Sequence, residues 1–328
     1  MRIYKGLLLL ILLLVLAACG EASQEKVLKK LDKAWSGADG YEIEATMELN
    51  TGTEPKTYKI EVWHTEPEFY KVEVNDENDV AQLILRNEEG VFVVTPSTNK
   101  SYKFQSEWPH KNSQAYMLEG LLQQIKSDSK AEMKEEEKTY VFTVGLQDDK
   151  SGLPSARIVI DKKSLKPKQV VLLDESEKEQ VSISFKKTEY ESKHSKEDYA
   201  LEKYAENKEK EASPDIKDST TTYYPQISLQ SELVEEETIQ ENGITRTVMS
   251  FNGDKSFTLV QQPIEASSEL LPVFAAGDPA HVGPIIGAVT DTSVSWQQYG
   301  KEFFIASNEL TMEELLQVAG SLVEGSLK

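Results

Sequence analysis

The chain has 328 residues, of which 56 are acidic and 36 are lysine or arginine, giving a formal charge of −20. So negative a body repels phosphate backbones and anionic lipid head groups, which argues against nucleic acid as a partner. The length permits one large or two ordinary domains with real cores, and a single cysteine excludes intrachain disulfides.

At the N-terminus, Arg2 and Lys5 precede an apolar run from Leu7 to Leu16. The run falls short of the ~20 apolar residues of a membrane span and has the length of a secretory signal's apolar core. Leu16-Ala17-Ala18-Cys19-Gly20 comes next and resembles the bacterial lipobox, whose small residues fit the signal peptidase and whose thiol takes a diacylglyceryl group. The expectation is a signal peptide over 1–18 and a lipidated tether over 19–23. Cys19 would carry a covalent diacylglyceryl group and an N-acyl chain, holding the protein on the extracytoplasmic face of the cell membrane. Each buried methylene is worth ~0.8 kcal/mol and one chain binds only marginally, so several chains make the anchor lasting.

Val27, Leu28, Leu31, Ala34 and Trp35 then recur at helical spacing and predict a helix over Gln24–Ser36. A long series of period-two segments follows. Tyr41, Ile43, Ala45, Met47 and Leu49 alternate with polar residues, as do Tyr58, Ile60 and Val62, and Tyr70, Val72 and Val74. This is the pattern of antiparallel strands with one buried face. Further strands are expected at Ala81–Arg86, Gly90–Thr95 and Ser101–Phe104. Met117, Leu118, Leu121, Leu122 and Ile125 mark a second helix over Ser113–Lys126, after which strands resume at Glu132–Glu137, Thr139–Leu146, Ala156–Asp161, Lys168–Asp174 and Glu179–Tyr190.

Residues 24–192 therefore read as one domain and 193–222 as a charged linker, within which Tyr199, Leu201 and Tyr204 suit a short helix. Residues 223–328 read as a smaller domain of strands and one helix. Ile244–Phe251 and Lys255–Gln262 flank Asn252-Gly253, a hairpin signal. Glu265 to Val282 reads as an irregular loop. Strands are expected at Pro284–Thr290, Thr292–Gln298 and Glu302–Ala306. Thr311 with Glu314 forms a capping box ahead of a last helix.

One helix, a run of strands, a helical interruption, then Arg157-Ile158-Val159-Ile160-Asp161 through Lys166-Pro167 to Ser182–Tyr190 resembles the LolA-like lipoprotein-carrier fold. With the lipobox and the acidic body, the chain is similar to sporulation lipoproteins of the YdcC type. Its last part, with Ser295-Trp296-Gln297-Gln298-Tyr299-Gly300 and Leu310-Thr311-Met312-Glu313-Glu314-Leu315-Leu316, resembles a small domain found behind such regions. The resemblance implies an α+β protein: an open antiparallel half-barrel, its concave face partly covered by helices, plus a smaller antiparallel sheet with a helix. In the carriers that face holds acyl chains.

Simple widths bear on that face. Eleven strands at ~4.8 Å each make roughly 50 Å of sheet, against two helices about 10–12 Å across. Either the sheet curls until its own side chains fill it, or an apolar groove remains, with Tyr58, Ile60, Tyr70, Val72, Tyr102, Phe104, Met117 and Leu121 as its candidate lining. Each is equally an ordinary core residue.

Reactive chemistry is sparse. His64, His110, His194 and His281 show no metal-ligand spacing, so neither a metal nor a further cofactor is expected. There is no G-x-S-x-G elbow or phosphate-binding glycine loop. Ser97–Lys100 and Ser127–Lys130 match Ser-x-x-Lys but lack the S-D-N and K-T-G strings that accompany it in penicillin-binding enzymes. The expected function is a non-catalytic binding module for an envelope protein partner or an acyl ligand, in sporulation or germination. Two alternatives stay open: an envelope hydrolase working through carboxylates, and a regulator of a membrane signalling system of the anti-sigma type.

Overall fold

The computed structural model describes residues 23–37, 39–50, 55–76, 80–105, 115–146, 153–191, 194–205, 221–241, 243–264, 270 and 272–325. Cys19, the signal segment 1–18 and the charged stretch 206–220 lie outside the described residues, as does His110. Among the described residues no helix is long and apolar enough to cross a membrane.

Helix α1 (Gln24–Trp35) buries Val27, Leu31 and Trp35, one residue per turn of its apolar stripe. An antiparallel meander follows: β1 (Gly40–Leu49), β2 (Lys56–Thr65), β3 (Phe69–Asn75), β4 (Val80–Asn87), β5 (Gly90–Thr95) and β6 (Lys100–Phe104). Helix α2 (Leu118–Ser127) interrupts it. It starts later than the Ser113–Lys126 expected: Ser113 and Gln114 lie outside the described residues, Ala115 and Tyr116 form a turn, and Met117 sits in extended conformation at the helix N-cap. Then come β7 (Glu132–Glu135), β8 (Thr139–Gly145), β9 (Ser155–Asp161), β10 (Pro167–Leu173) and β11 (Glu179–Glu189). Since β11 returns to pair with β1, Met47 opposite Ile183, the first strand ends at the centre of the sheet.

A single-turn α3 (Glu202–Ala205) follows a 3-10 turn at Lys196–Tyr199. The second half contains β12 (Tyr223–Pro225), β13 (Ser231–Glu241), β14 (Ile244–Gly253), β15 (Phe257–Pro263), β16 (Pro272–Phe274), β17 (Asp278–Val282), β18 (Ile285–Val289), β19 (Ser293–Gln298), β20 (Lys301–Ala306), helix α4 (Met312–Gly320) and β21 (Leu322–Glu324). Seven of these strands form a second sheet in the order β13-β14-β15-β20-β19-β18-β17, while β12 pairs with β21. The class is α+β, with the larger sheet open at both edges, as expected.

Three local readings need correction. Glu265 to Val282 is not uniformly irregular: Pro272–Phe274 lies parallel to β6, and Asp278–Val282 forms the last strand of the second sheet. Both prolines sit in edge strands, where a missing N–H costs no ladder bond. Asn252-Gly253 is not a two-residue turn, because Phe251 pairs with Phe257 and Gly253 pairs across to Ser231. A Cβ on Gly253 would meet the Gln230 carbonyl oxygen at 2.5 Å, so glycine permits that close approach. Strand β13 was not expected at all. It is an exposed edge strand over most of its length and so shows no alternation to read.

The larger sheet is also thicker than a one-faced sheet. Ile84 and Val93 face the main core, whereas Leu83, Leu85, Phe92 and Val94 point the other way and pack with Leu201 and Leu270. Residues 199–204 thus cover part of the convex face, which explains why β4 and β5 read as nearly continuous apolar runs.

Candidate functional site

On the concave side, α1 and α2 cover only part of the larger sheet, and the second sheet covers much of the rest. Buried residues from both sheets belong to one hydrophobic cluster. Polar contacts pin the faces together: Lys56 Nζ donates to Tyr299 Oη at 2.8 Å, and Gln82 Nε2 donates to the Ile286 carbonyl at 2.8 Å. The strip of sheet that the two helices leave uncovered is therefore met by a third layer that strand counting within residues 24–192 does not include.

This arrangement sorts the eight candidate groove residues. Tyr58, Ile60, Tyr70, Val72, Phe104, Met117 and Leu121 are buried, and Tyr102 is half-buried. Only Tyr102 and Phe104 border a hollow of about 230 Å³ left where β4, β5 and β6 face β18, β19 and β20, with Phe274 at its side.

The pairing register explains which groups reach that hollow. Ala288 lies opposite Ser295, Ser295 opposite Phe304, and Gln297 opposite Glu302. Cross-strand partners share a face and neighbours along a strand alternate. Ser295, Gln297, Glu302 and Ala288 therefore turn toward the larger sheet, while Val294, Trp296, Phe303 and Ile305 turn toward α4. A directed chain of hydrogen bonds crosses the hollow: Gln297 Nε2 donates to Tyr102 Oη at 2.8 Å, and Tyr102 Oη donates to Glu302 Oε1 at 3.0 Å. Gln262 Nε2 donates to Glu302 Oε2 at 2.9 Å. Gln297 is 5% exposed, and its Oε1 is buried with no hydrogen-bond partner among the described residues. Burial and the adjacent Glu302 carboxylate push the Tyr102 hydroxyl well above its ordinary value, so it stays protonated. Among the described residues lining the hollow, Glu302 alone carries charge. Beyond Phe274 lies a wider outer depression of about 510 Å³, where Glu68, Glu88 and Glu89 mingle with Arg86, Lys103 and Lys196.

A second polar cluster sits under α2. His64 is 2% exposed and lies between the rings of Tyr41, at 4.8 Å, and Tyr70, at 4.4 Å. Tyr41 Oη donates to Glu119 Oε2 at 2.6 Å, and the other Glu119 oxygen is 3.6 Å from His64 Nδ1. Burial pushes His64 down to about 4 and lifts Glu119 above its usual range. His194 stacks on Trp63 at 3.7 Å, and His281 meets Tyr116 edge-on at 6.4 Å, so each of the three histidines packs against aromatic rings of its own. Among the described residues no group of three metal-binding side chains occurs.

Sequence reasoning picked out Tyr102 and Phe104 but missed Gln82, Gln297, Glu302 and Phe274. One signal was present: Gln82 interrupts the apolar run of β4, and Gln297 follows a buried tryptophan in a strand whose other face is apolar.

Comparison with known proteins adds the following. A family model described as "Sporulation protein YdcC-like" matches residues 2–199. "Sporulation protein YdcC" of Bacillus subtilis (strain 168) is 35% identical over 325 residues, covering 97% of this chain and 96% of the relative. Among solved structures, the MucA/MucB complex of Pseudomonas aeruginosa is similar at 12% identity and a TM-score of 0.35, over 92% of this chain and 98% of that one. A putative outer membrane lipoprotein-sorting protein domain from Vibrio parahaemolyticus matches at 11% identity and a TM-score of 0.35, over 55% and 97%. At such TM-scores these structural likenesses carry no functional argument, and the architecture stands on the strand order itself.

Proposed function

Since the chain belongs to the family of YdcC-like sporulation proteins, we propose that it is a non-catalytic binding module of the sporulating cell's envelope, anchored by lipid on Cys19. Its ligand enters the hollow between the two sheets. The observation that carries this reading is the buried Gln297 Oε1, unpartnered among the described residues and set beside the Tyr102–Glu302 pair in a recess whose lining is mostly apolar. A buried acceptor without a donor costs ~1–3 kcal/mol, and a ligand that supplies the donor recovers it. A mostly apolar recess with a few convergent polar groups is the usual form of a binding site. The polar groups here also suit binding better than catalysis, because a protonated tyrosine already donating to a carboxylate is a poor base or nucleophile. The lipobox-like Leu16-Ala17-Ala18-Cys19-Gly20 supports the anchor and, with it, a body held outside the cytosol.

The test has two arms in sporulating cells. Replacing Cys19 with serine should move the protein from the membrane to the soluble fraction and abolish labelling by palmitate. A photo-crosslinking residue at Phe274 should give a discrete adduct, lost when Gln297 is changed to leucine. Membrane retention of the serine variant would sink the anchor. An adduct indifferent to Gln297 would sink the hollow as the site.

A further inference from the structure

Resting on that reading, we infer that the hollow takes a primary ammonium on an aliphatic stem, the lysine side chain of a protein partner. Its polar inventory is lopsided. Tyr102 spends its hydrogen on Glu302 and receives one from Gln297, so the chain of bonds runs from the Gln297 amide N–H to the Glu302 carboxylate and leaves Tyr102 no hydrogen for a ligand. Among the described residues lining the hollow, the unmatched polar atom on the face toward the larger sheet is an acceptor, Gln297 Oε1, with the carboxylate of Glu302 beside it; the unmatched Trp296 Nε1 donor belongs to a side chain turned toward α4. Among the described residues, none that lines the hollow supplies a positive charge against that carboxylate. An acyl carboxylate or phosphate would meet repulsion at this end. A plain alkyl chain would leave Gln297 Oε1 unpaired.

An ammonium satisfies each element in turn. Its three N–H donors, set on a compact point charge, can reach Gln297 Oε1 and the free lone pairs of Glu302. The aromatic residues Tyr102, Phe104 and Phe274 line the hollow, a surrounding that suits a cation and its methylenes. Space is adequate: at about 30 Å³ per water-sized group, the five heavy atoms of a lysine side chain need roughly 150 Å³, against a hollow of about 230 Å³. The net charge of −20 adds long-range attraction for a basic partner.

The experiment titrates the full mature chain with the peptide acetyl-Gly-Lys-Gly-amide, its norleucine counterpart, its arginine counterpart and hexanoate, following the Tyr102 and Trp296 resonances by NMR. The lysine peptide should bind at least tenfold more tightly than the norleucine peptide, and weaken as salt rises. Glu302→Gln should abolish that preference. Should Glu302→Gln prove unstable, Gln297→Leu in a chain with an unchanged melting curve should cut lysine-peptide affinity by tenfold or more. Equal binding of norleucine, or tighter binding of arginine or hexanoate, overturns the lysine assignment while leaving the hollow a binding site. Absence of binding by every probe overturns both.

Discussion

Gln82 and Ile286, 204 residues apart, are joined by two hydrogen bonds through one side-chain amide: Gln82 Nε2 donates to the Ile286 carbonyl at 2.8 Å, and the Ile286 N–H donates to Gln82 Oε1 at 2.6 Å. Gln82 is 1% exposed, so an interior polar group of the larger sheet serves the backbone of the smaller one. Gln82→Leu keeps the volume but strands a donor and an acceptor at ~1–3 kcal/mol each. The variant should lose about 2–6 kcal/mol in urea unfolding. If the midpoint does not move, the pair contributes nothing to holding the sheets together.

His64 gives stability a pH dependence whose sign can be worked out. Burial holds its folded pKa at about 4 against the ordinary 6.5. As pH falls below 6.5 the unfolded chain takes up a proton that the folded chain refuses, so stability drops between 6.5 and about 4, by up to ~3 kcal/mol. Glu119 works in the opposite sense. Its raised pKa gives stability that is full below 4.5 and lost as pH rises through the raised value, which partly offsets the histidine. Asp174 and Asp198, held down to about 2 by their hydrogen bonds, act below 3.8 and outside this window. Unfolding free energies measured at pH 7, 5.5 and 4.5 should fall steadily for the natural chain, less for His64→Phe and more for Glu119→Gln. Parallel curves for all three would remove His64 as the cause.

Thr311 tests the cap of α4. Its Oγ1 accepts from the Glu314 N–H at 3.3 Å, and Glu314 Oε2 accepts from the Thr311 N–H at 2.9 Å. The helix behind it lays Leu315, Leu316 and Ala319 on the second sheet. Thr311→Ala should cost about 0.5–2 kcal/mol and raise hydrogen exchange in the first turn of α4 while leaving the larger sheet protected. Uniform exchange changes across both sheets would instead indicate a global loss.

The sequence made much of this fold legible because period-two alternation from Tyr41 through Val74 records a sheet with one wet face. It was silent wherever burial departs from that rule. Strand β13 is wet on most of both faces, so nothing alternates; β4 and β5 are buried on both, because residues 199–204 double back over Leu83, Leu85, Phe92 and Val94. The site was half legible for a related reason. Tyr102 and Phe104 belong to an alternating strand, whereas Gln297 and Glu302 gain meaning only when the second sheet folds onto Tyr102, a contact spanning 195 to 200 residues that no local pattern records.

Lys71 supports a last prediction, which separates charge from packing. It is 3% exposed on β3, with Nζ 2.6 Å from Glu73 and 4.0 Å from Glu61 and lying 3.2 Å from the centre of the Trp63 ring. Glu61 and Glu73 are direct cross-strand partners. Like charges opposed in this way destabilise a sheet, and Lys71 is the cation between them. Replacing it with methionine keeps the stem's packing and removes a costly buried charge, which by itself is neutral or favourable. The two glutamates are then left facing each other. Lys71→Met should therefore cost about 1–3 kcal/mol, below the 3–5 of a fully buried broken pair because both carboxylates keep some contact with water. Adding Glu73→Gln to it should restore most of the loss, whereas Glu73→Gln alone should destabilise. Additive effects in this double-mutant cycle would show that Lys71 acts through its methylenes on Trp63 and not through its charge.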